Sequence, residues 1–246
     1  MPDLVDLQAQ WQAIAQVAHP GHADFFFDQP ASDDPAASED APDQLAYELV
    51  RLIDGAESEV IMVSAYLVPA PEWEAIIERA EARGVQVRIL TNSLKSNNHL
   101  SAHAAYEKHV SRLIEYGAEL HEVRVAGEDR ALYMRQPVEE KELGLHAKLL
   151  LIDDDISFVG SCNLDPRSLK INTEVGLIID SVELNRALRE MLSVDFEPRN
   201  AWAVQQNENG KLVWISDDEV LTHQPASSIQ RLEDWFLGLL PIDAEM

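Results

Sequence analysis

The aliphatic positions of this chain cluster most densely in residues 145–163, LHAKLLLIDDDISFVGSCN, where two apolar runs flank an acidic triplet. The density of LHAKLLLID is that of a strand buried on both faces, and ISFVGSC reads as a second strand returning through an Asp153-Asp154-Asp155 turn. Upstream, Leu4, Leu7, Trp11, Ile14 and Ala18 recur at helical spacing. The stretch 28–43 then carries six acids, three prolines and no base, the composition of a linker. A helix is expected from Asp43, as N-cap, to Gly55, with Leu45, Leu49, Leu52 and Ile53 facing the core. EVIMVSAYLV, PEWEAIIERAEARG and VQVRILTN follow as strand, helix and parallel strand. The next helix ends at Gly117, and AELHEVR is a short strand.

A polar segment, 126–144, is expected to cover the site as a loop before the motif hairpin. After it come the strand EVGLIID, the helix VELNRALREMLSVDF, a hairpin turning at Asn209-Gly210, and a last amphipathic helix. That helix brings Leu232, Trp235, Phe236, Leu239 and Leu240 together; with few bases beside them, docking on the domain is favoured over a bilayer interface. The fold class expected is α/β, a mixed, mostly parallel sheet with helices on both faces. The divisions are 1–43 (helix and acidic linker), 44–198 (catalytic domain) and 199–246 (hairpin and helix).

Composition narrows the function. With 46% hydrophobic and 26% charged residues, the 246-residue chain is of soluble globular type. It has neither a run of membrane-spanning length nor the basic, apolar start of a secretory signal, so the cytoplasm is the expected location. The net charge of −25 repels nucleic acid, which is not expected as a partner. The lone Cys162 reads as a small buried filler. Locally, Lys95, Lys108, Arg112, His99, His103 and His109 face a single acid, Glu107, and form a candidate anion patch. His99 and His103 lack a third ligand at useful spacing, so neither metal nor cofactor is expected.

Strand alternation puts His146 and Lys148 on one face and gives Asp153 the opposite parity, that of a supporting group or simply of a turn residue. Gly160 allows close backbone approach, and Ser161 and Asn163 again share a parity. An imidazole, an ammonium, a hydroxyl and an amide suit phosphoryl transfer: His attacks phosphorus while the other three donate to its oxygens.

The order HxK, four residues, Asp, six residues, GSxN resembles the signature of the phospholipase D superfamily. The resemblance implies a phospholipase D-like domain and a catalytic set of His146, Lys148, Asp153, Ser161, Asn163 and Glu174, with Glu174 as the partner of the histidine. VSAYLVP, GVQVRILTNSL, YGAELHEVR, GSCNLDPRS, INTEVG, GKLVW and LLPI resemble, in order, the C-terminal half of bacterial C-type cardiolipin synthases. That places Asn92, Ser93 and His103 near the substrate phosphate.

The family carries two HxK motifs in one polypeptide, and this chain carries one. The resemblance therefore implies a phosphatidyl transferase of cardiolipin synthesis, acting through a phosphohistidine on phosphatidylglycerol or phosphatidylethanolamine, with peripheral contact at the inner membrane. A second motif would come from a homodimer or a partner half. A phospholipase D-type hydrolase or nuclease, and an inactive half that pairs with another chain, remain as alternatives.

Overall fold

The structure is a computed structural model that describes residues 4–29, 45–69, 71–217 and 219–239. The expected linker beyond residue 29, the Asp43 cap and the tail from Leu240 lie outside the described residues. The elements in chain order are α1 (Leu4–Gln16), β1 (His22–Phe27), α2 (Leu45–Gly55), β2 (Glu59–Ser64), α3 (Pro71–Ala82), β3 (Gln86–Asn92), α4 (Leu100–Glu115) and β4 (Glu119–Val123). Then follow β5 (Lys148–Ile152), β6 (Ile156–Gly160), α5 (Pro166–Lys170), β7 (Val175–Asp180), α6 (Val182–Asp195), β8 (Ala201–Gln206), β9 (Leu212–Ile215), β10 (Val220–Leu221) and α7 (Ser228–Gly238).

The ten strands of the described residues form one mixed sheet in the order β1-β7-β6-β5-β2-β3-β4-β8-β9-β10, which runs through all three expected divisions of the chain. The expectation of mostly parallel pairing is corrected: β2 with β3 and β3 with β4 are parallel, and the other neighbours are antiparallel. The reason is connectivity. Parallel neighbours need a crossover, here α3 and α4, whereas the tight turns at 153–155 and at Gly210 (φ +71°) force their strands to reverse.

Alternation along the central strands divides the core between two faces. Val60, Met62, Val87, Ile89, Leu150 and Ile152 pack beneath α2, α3 and α4, with Leu49, Ile77 and Val110 from the helices. Ile61, Val63, Leu90, Leu149 and Leu151 face the other way, against Leu192 of α6 and Phe196 just after it. Helices thus cover both faces, but unequally: α6 is the long helix on the second face, and the β1-β7-β6 wing there keeps Phe25, Val159, Val175 and Leu177 exposed.

The motif hairpin forms as its pattern requires. Gly160 pairs with Gly176 across β6 and β7, and the ring of Phe158 fills the space that side chains would take. A Cβ at Gly176 would meet that ring at 2.2 Å, and one at Gly160 would meet it at 2.5 Å. The strand β1 went unrecognised in the sequence because HADFFF alternates weakly and gains its hydrogen bonds only from β7.

Candidate active site

Lys148 opens β5, and the extended segment before it carries the exposed His146. Lys148 is largely buried, and its ammonium donates to the His146 carbonyl oxygen at 2.9 Å. Burial pulls its pKa below the ordinary lysine value, while the carboxylates of Glu174 and Asp165 act in the opposite sense. These groups face one another at one end of the sheet.

Ser161, just past β6, donates its hydroxyl hydrogen to Glu174 Oε2 and accepts from the Val175 N–H at 3.0 Å. Glu174 also takes a bond from Asn172 Nδ2 at 3.1 Å. The expected pairing of Glu174 with His146 is not formed: among the described residues no hydrogen bond reaches the His146 ring, and the Glu174 carboxylate is held by Ser161 and Asn172. Asn163 is buried with its amide oxygen unpartnered among the described residues. It lines a cleft of about 340 Å³ shared with Tyr66, His99, Asp165 and Arg167. Asp165 caps α5 through Ser168 N at 2.7 Å, and burial raises its carboxyl pKa.

The remaining motif residue sits elsewhere. Asp153 occupies the turn at the far end of β5, with φ +47°. Its carboxylate accepts from the backbone N–H groups of Glu57, Ser58 and Glu59 at 3.0, 2.7 and 3.1 Å, and from the Ser58 hydroxyl at 2.7 Å. Burial opposes ionisation there, but these donors outweigh it and hold the carboxyl below the usual aspartate range. In this structure Asp153 stands where the strand parity put it, as a supporting group: it ties the motif turn to the entrance of β2.

The three residues expected near the phosphate, Asn92, Ser93 and His103, are bonded within the protein here. Asn92 spends its amide on backbone, donating to Ala65 O and Leu145 O and accepting from Leu145 N, each at 2.9 Å. It positions the residue before His146 and has no donor left for a substrate. Ser93 donates to Val123 O at 2.8 Å and is buried. His103 is fully buried, with Nδ1 3.0 Å from Asp234 of α7. The anion patch is also partly neutralised: Glu74 pairs with both His109 and Arg112, leaving His99 exposed at the cleft. Cys162 is a buried thiol whose pKa burial pushes well up, so it fills space rather than attacks.

Two groups escaped sequence reasoning. Tyr66 donates to Asn98 Oδ1 at 2.8 Å and meets the His99 ring edge-on, forming one wall of the cleft. Asp28, buried, accepts from Glu174 N at 3.0 Å and from Leu45 N at 2.6 Å, so one carboxylate both anchors the Glu174 backbone and caps α2. A lone tyrosine after a strand gives no signal by itself. An aspartate at the head of an acidic run is likewise hidden by its neighbours.

Comparison with known proteins identifies the family. Residues 49–195, more than half of the chain, match the family described as "Cardiolipin synthase, PLD-like domain". Cardiolipin synthase C of Escherichia coli (strain K12) is 33% identical over 221 residues, which are 86% of this chain and 46% of that protein. An uncharacterized protein of Helicobacter pylori (strain ATCC 700392 / 26695) is 29% identical over 84% of this chain and 39% of its own length. The chain thus spans about half the length of the curated relatives it matches or less. The crystal structure of phosphatidylserine synthase from Haemophilus influenzae Rd KW20 shares the fold at a TM-score of 0.55 and 14% identity, over 94% of this chain and 51% of that one. By its motif, its fold and the residues matched, the chain belongs to the phospholipase D-like domain family of the cardiolipin synthases.

Proposed function

We propose that this chain is one half of a phosphatidyl transferase of cardiolipin synthesis. His146 attacks the phosphorus of a phospholipid phosphodiester, the P–O bond to the leaving alcohol breaks, and a phosphohistidine forms. The glycerol hydroxyl of phosphatidylglycerol then attacks that phosphorus, releasing His146 and leaving the phosphatidyl group on the acceptor. Lys148 and Asn163 donate to the phosphate oxygens as charge gathers there. Ser161 joins them when its bond to Glu174 is exchanged for one to the phosphate. Glu174 sets the field at Lys148 and the orientation of Ser161.

The observation that carries this reading is an exposed His146 two residues from a buried lysine, at the sheet end where Ser161, Asn163 and Glu174 meet. One histidine does not complete the cycle. The leaving alcohol needs a proton, and the acceptor hydroxyl must lose one. A second histidine from a homodimer or a partner half supplies that acid and base.

The surface has room for such a half. Phe25, Leu177 and Val159 stand in register across β1, β7 and β6, in the same row as the buried Leu149, and Val175 lies one row nearer Ser161. All but Leu149 are exposed, an apolar strip of the kind that a permanent partner covers.

The test is headgroup transfer in mixed phosphatidylglycerol and phosphatidylethanolamine vesicles, run with His146→Ala and with the solution mass recorded. Cardiolipin from the unaltered chain at dimer mass, and none from the variant, is the expected result. Transfer that survives His146→Ala rejects the mechanism, and full turnover at monomer mass rejects the second half. A hydrolase is the other reading, favoured by the single motif; release of phosphatidic acid with no cardiolipin would select it.

A further inference from the structure

Helix α7 is mounted with its polarity reversed. Ile229, Leu232, Trp235, Phe236 and Leu239 recur at helical spacing and form one face, yet each is between 60% and 69% exposed. The side turned towards the protein is polar. Asp234 is buried against α4, 3.0 Å from Nδ1 of the fully buried His103, and burial together with the neighbouring Asp234 raises the Glu107 carboxyl above its ordinary value. Arg231 donates to Ala226 O at 2.7 Å, and Ser227 with Gln230 forms a reciprocal cap at the helix start.

A helix free to roll would bury its apolar side, since each large side chain gains about 1.5–3 kcal/mol from leaving water. The seam between Asp234 and His103 prevents that roll, because turning the helix would strip a buried carboxylate of its partners. The tendency expected from sequence was a helix docking on the domain. The helix does lie on α4, but through its polar side, which leaves the apolar side facing out.

We infer that the outer face of α7 is a docking surface for a lipid bilayer, entered by apolar insertion rather than by attraction to anionic headgroups. Three observations select this partner. The face is aliphatic with a Trp-Phe pair suited to the headgroup boundary, and since it carries Glu233 but no base in a chain of net charge −25, apolar insertion has to carry the contact. It adjoins the site: Leu100 shares an apolar depression with Leu232, Trp235 and Phe236, while its neighbours His99 and Ser101 line the cleft of Asn163 and Asp165. It also lies on the α4 side of the sheet, opposite the strip of Phe25, Leu177 and Val159, so a second half seated on that strip leaves α7 uncovered. No described helix is long and apolar enough to cross a membrane, so α7 rests on the surface with Trp235 and Phe236 in the headgroup boundary.

The choice of a bilayer rests on the phospholipid reading of the site, and the experiment keeps the two apart. Flotation with phosphatidylcholine vesicles compares the unaltered chain, His146→Ala and the double variant W235S/F236S, whose fold is checked by circular dichroism. The unaltered chain and His146→Ala are expected to float equally, with little change in high salt, while the double variant partitions roughly tenfold less or weaker. In vesicles holding a brominated phosphatidylcholine, the tryptophan emission lost in W235S is the part expected to be quenched.

Equal flotation of the double variant overturns the inference, as does flotation that needs anionic lipid and disappears in salt. So does a double variant that loses self-association in lipid-free solution, because the face would then be a protein contact. Trp235-dependent flotation without any transfer would leave this surface standing and defeat the catalytic reading. Transfer by an unaltered chain whose flotation does not depend on Trp235 and Phe236 would do the reverse.

Discussion

The two ends of the β5–β6 hairpin come from one continuous motif and are built on opposite terms. At the turn, the Asp153 carboxylate is saturated by donors from Glu57, Ser58 and Glu59 in a backbone conformation that an aspartate tolerates. At the open end, the His146 ring has no hydrogen bond and the Asn163 amide oxygen is buried without a partner among the described residues. Groups left unsatisfied in a folded protein are available to a ligand, and saturated groups have already contributed to folding. The motif is therefore part reagent and part scaffold, and its spacing reflects the length of strand needed to separate the two.

The sharpest way to break this contrast is to remove one group at each end. His146→Ala should lower transfer by about 10³-fold or more, while a surface position of this kind shifts stability by at most about 0.5 kcal/mol. Asp153→Ala should do the opposite. Loss of its donors and of a residue suited to positive φ should cost about 2–3 kcal/mol in urea unfolding, with turnover per folded molecule nearly unchanged. A folded, stable Asp153→Ala protein with transfer as low as that of His146→Ala would show that the turn takes part in the chemistry after all.

Between the ends, the pleat itself is tested at Gly176. Its Cβ would fall 2.2 Å from the Phe158 ring, so Gly176→Ala should destabilise by about 1–3 kcal/mol, measured by thermal melting. Adding Phe158→Leu should restore part of that loss, because it removes the ring that the new methyl meets. A double variant no more stable than the single one would place the strain in the backbone instead.

What could be read from the chain follows from how local each feature is. The hairpin, the helices α2, α3, α4 and α6 and the Gly160 approach announce themselves through periodicity and turn chemistry within short windows. Asp28, which holds Glu174 from the other end of the chain, and Asp234, which claims His103, depend on pairings that no window contains. Asn92 shows the same difficulty in another form. It lies at the sheet end where a ligand would be expected, yet its amide is consumed by the segment that carries His146. Position relative to the motif was legible, but the direction in which each side chain spent its hydrogen bonds was not. The parallel share of the sheet was misjudged for a related reason, since strand order is set by pairings beyond the crossover helices.

The finest test concerns acid. The Asp153 carboxyl titrates below its ordinary value in the folded protein, so the folded state binds its proton less readily than the unfolded chain does. The stability it contributes is complete above the unfolded aspartate pKa, about 3.9, and is lost as pH falls through the lower folded value. Asp153→Asn keeps the shape and some of the acceptor capacity but cannot titrate. Urea midpoints at pH 7 and pH 3 should therefore converge on acidification, the unaltered chain losing more than the Asn variant. The reagent end gives the control: His146→Ala should keep the unaltered chain's full acid loss, because the saturated turn is intact. If Asp153→Asn and the unaltered chain lost stability in parallel, the donors around Asp153 would not favour its charged form, and the turn would owe its rigidity to backbone geometry alone.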